Sequence, residues 1–468
     1  MWTGQKQGIT DGEMDGQVDV VVVGAGYAGL AAALRLKDEG IDFVVLEASG
    51  RVGGRVLSEV REGGAVVDQG GQWVGPTQKN LLALAERFGC ETFPSWEEGR
   101  HIEVWRDGSR VAYDGAAPEA GPGIDDYCRV TTLLDAMAKS VDLDQPWLTP
   151  DFELWDSQTA ESFFRAQTGD EDAIRRLALA IQGVWSCEPR EISLFHVVFY
   201  IAAADGYEQL METRDCAQDS RFHGGAAAPA TALAVELGDR LCLNTPVEAV
   251  EQDEQGAMVR TGSGVIRARR VVVALPPPAT SGISFTPTLS ISRRGWLAHS
   301  PMGRVAKVHA VYTQPFWRAA GLSGIATVYD DGPVGVVFDN SPADASMGIL
   351  VGFVYGDRVS DWAERPAAER RAAVLETLAA IAGPQATDPV DYTEKIWPYD
   401  EFAQGGYEAY VTPGGWTGYA RDGWRTPSGV IHWAGTETAG RWNGYIDGAI
   451  GSGYRAADEV LAAMVDAR

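Results

Sequence analysis

At 468 residues the chain is longer than one typical hydrophobic core supports, so two or three domains are expected. Hydrophobic residues make up 45% and charged residues 22%, the balance of a globular protein with a sizeable interior. A formal net charge of −26 argues against nucleic acid or anionic membranes as partners.

Residues 1–17 are polar and rich in Gly, Asp and Gln, and read as a disordered tail. From Val18 to Val23 the chain is β-branched except for Asp19, the pattern of a strand buried on both faces. Gly24, Gly26 and Gly29 follow in the spacing G-x-G-x-x-G. Ala28–Asp38 then has helical spacing, with Leu30, Ala33 and Leu34 on one side. Ile41–Leu46 reads as a second strand, ended by Glu47. This is a βαβ unit for a dinucleotide. The first glycine permits the tight turn, the second lets backbone approach a pyrophosphate, and the third packs helix on strand. The helix N-terminus offers N–H groups to phosphate, and the acid about 20 residues on suits ribose hydroxyls.

The fingerprint alone does not separate NAD from FAD. The next segment, "ASGRVGGR" at 48–55, places Gly53 and Gly54 between Arg51 and Arg55. A second glycine loop with arginines suits the pyrophosphate of an extended FAD. "DQGGQWVGPTQ" at 68–78 adds Gly70, Gly71, Gln72 and Trp73, a loop expected to run past the flavin. Further on, "LNTPVEAVEQD" and "VIRARRVVVALPPP" read as short strands, with Val271–Leu275 buried and parallel and Pro276–Pro278 closing it. Residues 369–382 read as a helix over a sheet.

The motifs V-V-G-A-G-x-A-G-L, E-A-x-x-R-V-G-G-R and G-G-Q-W-V-G-P-T-Q resemble those of the flavin monoamine oxidase family. Three later stretches are similar to it as well. They are "RVAKVHAVYTQPFW" at 304–317, "GGY" at 405–407 and "HWAGTETAGRWNGYIDGAIGSGYRAADEVL" at 432–461. The similarity runs from Val18 to Leu461. It implies an α/β (mixed α+β) fold in which a Rossmann-like FAD-binding domain, 18–92, 223–297 and 398–468, is interleaved with a substrate domain of sheet plus helices, 93–222 and 298–397.

The resemblance also implies roles. Ala28, Glu47, Ala48 and the glycine and arginine positions above would bind FAD, with the Val247 backbone at the adenine edge. Gly435, Thr436, Gly444, Tyr445 and Ile446 would lie at the pyrimidine end of the flavin, and Trp397 beside it. Lys307 would assist reoxidation by oxygen. From spacing alone it reads as a half-buried strand lysine whose ammonium escapes to solvent. Tyr407 and Tyr445 would cage the amine, an electron-rich surround for a nitrogen centre. Gln218 and Trp73 would line the substrate pocket, with Leu210, Met211, Val336 and Phe338 as apolar candidates. The position where some members attach FAD through cysteine is Gly406, so non-covalent FAD is expected. Trp73 replaces a tyrosine of some relatives and narrows the site.

The implied reaction oxidises a hydrophobic primary or secondary amine to the imine, which hydrolyses to aldehyde or ketone plus ammonia, with O2 reduced to hydrogen peroxide. The Trp73 loop has no arginine for a substrate carboxylate, which disfavours amino acids. Asp330 and Asp331 keep putrescine or a polyamine open as the alternative; a flavin desaturase and a non-catalytic flavoprotein are the remaining ones. No metal is expected, since His223, His309 and His432 lack ligand spacing and read as structural. The cysteines, Cys90, Cys128, Cys187, Cys216 and Cys242, are scattered without a C-x-x-C pair, as in a reduced, cytoplasmic protein. Nothing after Leu461 could span a bilayer, so a soluble, bacterial-type member is expected. A homodimer is common in such folds.

Overall fold

The computed structural model describes residues 16–115 and 117–466. The expected tail at 1–15 lies outside the described residues. Gly16 and Gln17, placed in that tail on sequence grounds, instead open the first strand, Gly16–Val23, pairing with Ile266 and Arg267. The neighbouring strand, Gly264–Val273, outruns the apolar segment, and its backbone groups recruit two more residues into the ladder.

Two compact units are present. One takes in the chain through Gly54, Pro229–Pro301 and Gly415 onward. The other comprises Arg55–Ala228 and Met302–Gly414. Residues 55–92, 223–228 and 398–414, grouped with the cofactor pieces on sequence grounds, thus cluster with the second unit. One reason is local pairing: Trp73–Val74 and Thr92–Pro94 both hydrogen-bond to the strand Ser220–Phe222.

The first unit is built on an eight-stranded sheet. Gly16–Val23 lies between Phe43–Leu46 and Gly264–Val273, parallel to both. Val20 to Val23 are all buried, as a strand covered on both faces requires. The long strand changes partner along its length. Its first half pairs antiparallel with Ala257–Thr261, and its last three residues pair parallel with Ile431–Trp433. The helix Tyr27–Asp38 returns over the sheet and packs against the C-terminal helix Ile446–Asp466.

A seven-stranded, mainly antiparallel sheet organises the second unit. Its strand Val305–Tyr312, second from one edge, is flanked by Gly348–Tyr355 and the edge strand Asp391–Ile396. All eight residues of Val305–Tyr312 are buried. Ala306, Val308, Ala310 and Tyr312 pack with Val374, Leu378 and Ile381 of the helix Ala367–Ala382. By period-two alternation Val305, Lys307, His309 and Val311 face the other way. Among the described residues, no helix is long and apolar enough to cross a membrane.

Gly29 marks where the first helix meets the turn. A Cβ there would lie 1.9 Å from the Gly24 carbonyl oxygen, a contact that no rotamer change relieves. Gly29→Ala is expected to lower stability by about 1–3 kcal/mol. Thermal unfolding beside wild type checks this, and an unchanged melting temperature would remove the close-approach argument.

Candidate active site

In the first unit the strand Gly16–Val23 delivers the chain to Gly24, whose N–H donates to the Leu46 carbonyl at 2.8 Å. The helix begins after Gly26, which has no side chain to cap the first-turn N–H groups. Its positive end is left for an anion. The Gly53 N–H donates to the Ala25 carbonyl at 2.9 Å, and Gly26 pairs with Gly53 in an isolated parallel bridge. A Cβ on Gly54 would stand 3.3 Å from the Gly26 Cα, so two loops meet backbone to backbone. Glu47 is buried at the end of the second strand, with Ala48 following. Its Oε1 accepts from the Ser49 N–H at 2.9 Å and the Ser49 hydroxyl at 2.7 Å; its Oε2 accepts from the Ala25 N–H at 2.6 Å. Oε2 keeps a lone pair for a ligand hydroxyl. An uncapped helix start, a side-chain-free cradle and an oriented carboxylate fit a dinucleotide.

Several of the residues assigned to the cofactor also bond within the protein. Arg51 donates from Nη1 to the Val52 carbonyl at 3.2 Å and from Nη2 to the Gly54 carbonyl at 2.8 Å. Arg55 donates to the Tyr407 carbonyl at 2.8 Å. Part of each guanidinium therefore braces backbone, where the sequence reading gives both to phosphate. Gly435 is read as a backbone donor, but its N–H is taken by the Ser452 hydroxyl at 3.0 Å, because the C-terminal helix lies against that turn. The Thr436 hydroxyl donates to the Tyr445 carbonyl at 2.9 Å. Gly444 adopts a left-handed φ of 81°, and Tyr445 meets Trp442 edge to face at 4.9 Å just before Ile446 starts the last helix. Val247 opens its strand, with a break of register between it and Ala249.

In the second unit Lys307 is buried, not half-buried with an ammonium in solvent. Its Nζ donates to the Gly70 carbonyl at 2.8 Å and to Gln72 Oε1, and lies 5.6 Å from the Trp73 ring centroid and 5.3 Å from that of Phe353. Gln72 passes a hydrogen bond on to Asn340 Oδ1 at 2.9 Å. Trp397 Nε1 donates to the Gln69 carbonyl at 2.7 Å. The loop through Gly71 is thus held from three sides. Burial lowers the Lys307 pKa to about 7; Asp68 opposes the shift and Arg221 adds to it.

Beside the lysine stands an apolar wall. Trp73, Val336, Phe338 and Tyr407 pack against Phe353, Tyr355 and Trp397. Trp73 meets Phe338 edge to face at 5.0 Å, and Phe353 meets Tyr407 edge to face at 6.4 Å. Five sequence-assigned residues are brought together here. Leu210, Met211 and Gln218 form a separate group: the first two lie on the helix Tyr207–Met211, and Gln218 Nε2 donates to the Leu210 carbonyl at 3.1 Å.

Sequence reasoning missed the second layer. Glu103, buried, takes a bidentate bond from Arg176 at 2.6 and 2.9 Å. Arg176 also donates to the Tyr329 hydroxyl at 3.2 Å, and Tyr329 stacks on Trp105 at 4.4 Å in the same cluster as the wall. These partners are 73 and 153 positions apart, beyond any local pattern. Asp330 caps its own turn, accepting from the Gly332 N–H at 2.7 Å, and Asp331 pairs with Arg106 at 2.5 Å on the surface.

The first unit thus carries a βαβ dinucleotide cradle, and the second a buried lysine beside an aromatic wall. The family model for flavin-containing amine oxidoreductases matches residues 27–461. This chain belongs to that family; it is an amine-oxidising oxidoreductase whose flavin is FAD. It is 40% identical over 449 residues to AofH of Mycobacterium tuberculosis, named as a flavin-containing monoamine oxidase, covering 96% of this chain and 97% of the relative. Among solved structures, a putrescine oxidase bound to putrescine aligns with TM-score 0.91 and 34% identity, over 96% of this chain and 100% of that one. Cyclohexylamine oxidase from Brevibacterium oxydans aligns with TM-score 0.92 and 33% identity, over 96% and 99%.

Two outcomes follow from burial. The folded-state value for Lys307, about 7, lies below its ordinary 10.5, so between them the unfolded chain holds the extra proton and stability tied to this group rises with pH. Lys307→Met is therefore expected to stabilise the protein most at or below pH 7, with the gain shrinking toward pH 10; denaturant midpoints across pH measure it, and a pH-independent difference would contradict the burial. Arg176→Ala is expected to cost about 3–5 kcal/mol by leaving Glu103 buried and alone, with Glu103→Leu in addition recovering much of it. Equal midpoints for the single and double variants would show that the pair is not the cause.

Proposed function

We propose that the chain oxidises a hydrophobic monoamine, cyclic or aromatic, with oxygen as acceptor. The observation that carries this is the wall of Trp73, Val336, Phe338 and Tyr407 around Lys307, with Glu103, in the same cluster through Trp105, already paired with Arg176. A diamine needs an unpaired carboxylate for its distal ammonium. Glu103 is neutralised by Arg176, and Asp330 and Asp331 are held in a turn and a surface pair. Putrescine remains the second reading, favoured by the 34% identity to putrescine oxidase.

The cradle of Gly24, Gly26, Gly29, Gly53 and Gly54, with Glu47, would hold the cofactor's phosphates and ribose, and the loop through Gly70–Trp73 would adjoin its ring. Gly406 offers no thiol, which supports a non-covalent attachment. When bound, the flavin accepts a hydride equivalent from the amine's α-carbon and is reoxidised by O2, giving hydrogen peroxide. Tyr407, its carbonyl held by Arg55, presents a ring to the amine, and Tyr445 is assigned the same task. The apolar wall excludes water and disfavours a cationic substrate, so the amine binds neutral and no side-chain base is needed. Lys307 holds or releases a proton at Nζ close to neutrality.

Steady-state turnover of an amine panel tests the reading. Cyclohexylamine or benzylamine is expected to exceed putrescine in kcat/KM, with kcat/KM rising from pH 6 to 9; a preference for putrescine would install the second reading. Lys307→Met is expected to slow flavin reoxidation about 100-fold while anaerobic reduction changes little. Equal slowing of both half-reactions would remove the assigned role.

A further inference from the structure

The second unit also holds a cavity of about 230 Å3 that neither Lys307 nor Tyr407 lines. The helix Glu171–Trp185 gives it Ile174, Arg175 and Leu179, neighbours on one stripe because they are spaced by one, four and five positions. Val328 and Tyr329, at the end of the strand Leu322–Val328, and Arg358, at the start of the helix Asp357–Ala363, face the same space. Ile174, Leu179, Val328 and Tyr329 are buried and make an apolar floor. Arg175 and Arg358 are half-buried.

The two arginines differ in what holds them. Arg358 donates to the Gly332 carbonyl at 2.8 Å and to the Asp330 carbonyl at 2.9 Å. Among the described residues, the Arg175 side chain has neither a hydrogen bond nor an ion pair. Burial holds the Arg358 pKa below its ordinary value; Asp330, Asp331 and Glu188 oppose the shift, and Arg175 adds to it. Two guanidiniums thus repel each other at one cavity. The carboxylates around it are committed elsewhere. Glu171, in the lining, pairs with Arg165 at 3.1 Å. Glu188 accepts from the Gln182 amide and from the Asp357 N–H, each at 2.9 Å. Asp330 caps its own turn, and Asp331 pairs with Arg106.

A pair of half-buried cations beside an apolar floor is completed by an anion that brings apolar surface of its own. A guanidinium meets a carboxylate through two parallel N–H donors. The cavity falls short of the about 300–1,000 Å3 of a drug-sized ligand's site, so its occupant is small. The net charge of −26 disfavours anions at long range, but salt screens such fields beyond about 8 Å and leaves the local pair to decide. An amine is the rival occupant, and two positive charges turn it away.

We propose that this cavity is a binding site for a small organic acid, its carboxylate on Arg175 and Arg358 and its aromatic or alkyl body on Ile174, Leu179 and Val328. Leu179 and Tyr329 belong to the cluster against which Trp73 and Tyr407 pack, so the acid is held against the layer that supports the wall. The site does not depend on which amine the enzyme oxidises.

Calorimetric titration of the FAD-loaded enzyme with phenylacetate tests this. One phenylacetate is expected to bind per chain, with the neutral isostere phenylacetamide and inorganic phosphate each about 10-fold weaker or worse. Arg175→Gln is the sharpest variant, because that side chain braces nothing else. It is expected to weaken phenylacetate about 10-fold, with melting temperature and amine kcat/KM as in wild type, while Arg175→Lys retains part of the affinity. A crystal of the complex is expected to show the carboxylate within hydrogen-bond reach of both guanidiniums. No binding, unchanged affinity in Arg175→Gln, equal affinity for phenylacetamide or phosphate, or phenylacetate found beside Trp73 and Tyr407 instead overturns the proposal. If the enzyme prefers putrescine while phenylacetate binds and Arg175→Gln weakens it, the monoamine reading fails and this site stands.

Discussion

A buried ammonium has to be met by acceptors, and that requirement shapes the second unit. Lys307 sits in the middle of a strand whose neighbours are all buried. Its needs are met by the Gly70 carbonyl and Gln72, both on one loop. The loop must therefore fold onto that strand, and it carries Trp73 with it. Trp397 and Asn340 hold the same loop from either side. The aromatic wall stands where it does because a cation placed in a hydrophobic strand leaves the chain little choice.

Charge neutralisation does comparable work one layer further out. Glu103 lies within the interior beside the wall, where a lone carboxylate would attract a second ammonium from a diamine. Arg176 meets it with two parallel hydrogen bonds and lies over Trp105 and Tyr329. A charged pair in low dielectric adds little net stability, but it leaves no free charge for a ligand. The hydrophobic character of this region therefore comes from pairing of charges as much as from apolar side chains. The cradle of the first unit works by the opposite means, leaving helix-end donors and one carboxylate lone pair for a partner to fill.

The parts legible from sequence share one property: their physics is local. A tight turn, a helix start and a close strand–helix contact must be adjacent in the chain, so the spacing of Gly24, Gly26 and Gly29 announces the cradle. The buried parallel strand shows in its run of valines. Lys307 was visible as a charge among apolar residues, although alternation alone could not tell a buried ammonium from one reaching water. The bonds of Arg51 to its own loop's carbonyls and of Arg55 to the distant Tyr407 carbonyl could not be read from spacing. Nor could the bond of the Gly435 N–H to Ser452, which belongs to a helix whose packing no spacing reveals.

By itself the sequence determined the βαβ cradle, the choice of an extended flavin dinucleotide over nicotinamide and the six ordered motifs of the family, because each rests on residues a few positions apart. Tertiary structure alone decided the burial of Lys307, the pairing of Glu103 with Arg176 and the hold of Asn340 and Trp397 on the loop through Gly71. Those depend on which side chains, tens to hundreds of positions apart, are excluded from water together. Desolvation and the satisfaction of buried polar groups are properties of a packed interior, and the interior exists only once the chain has folded.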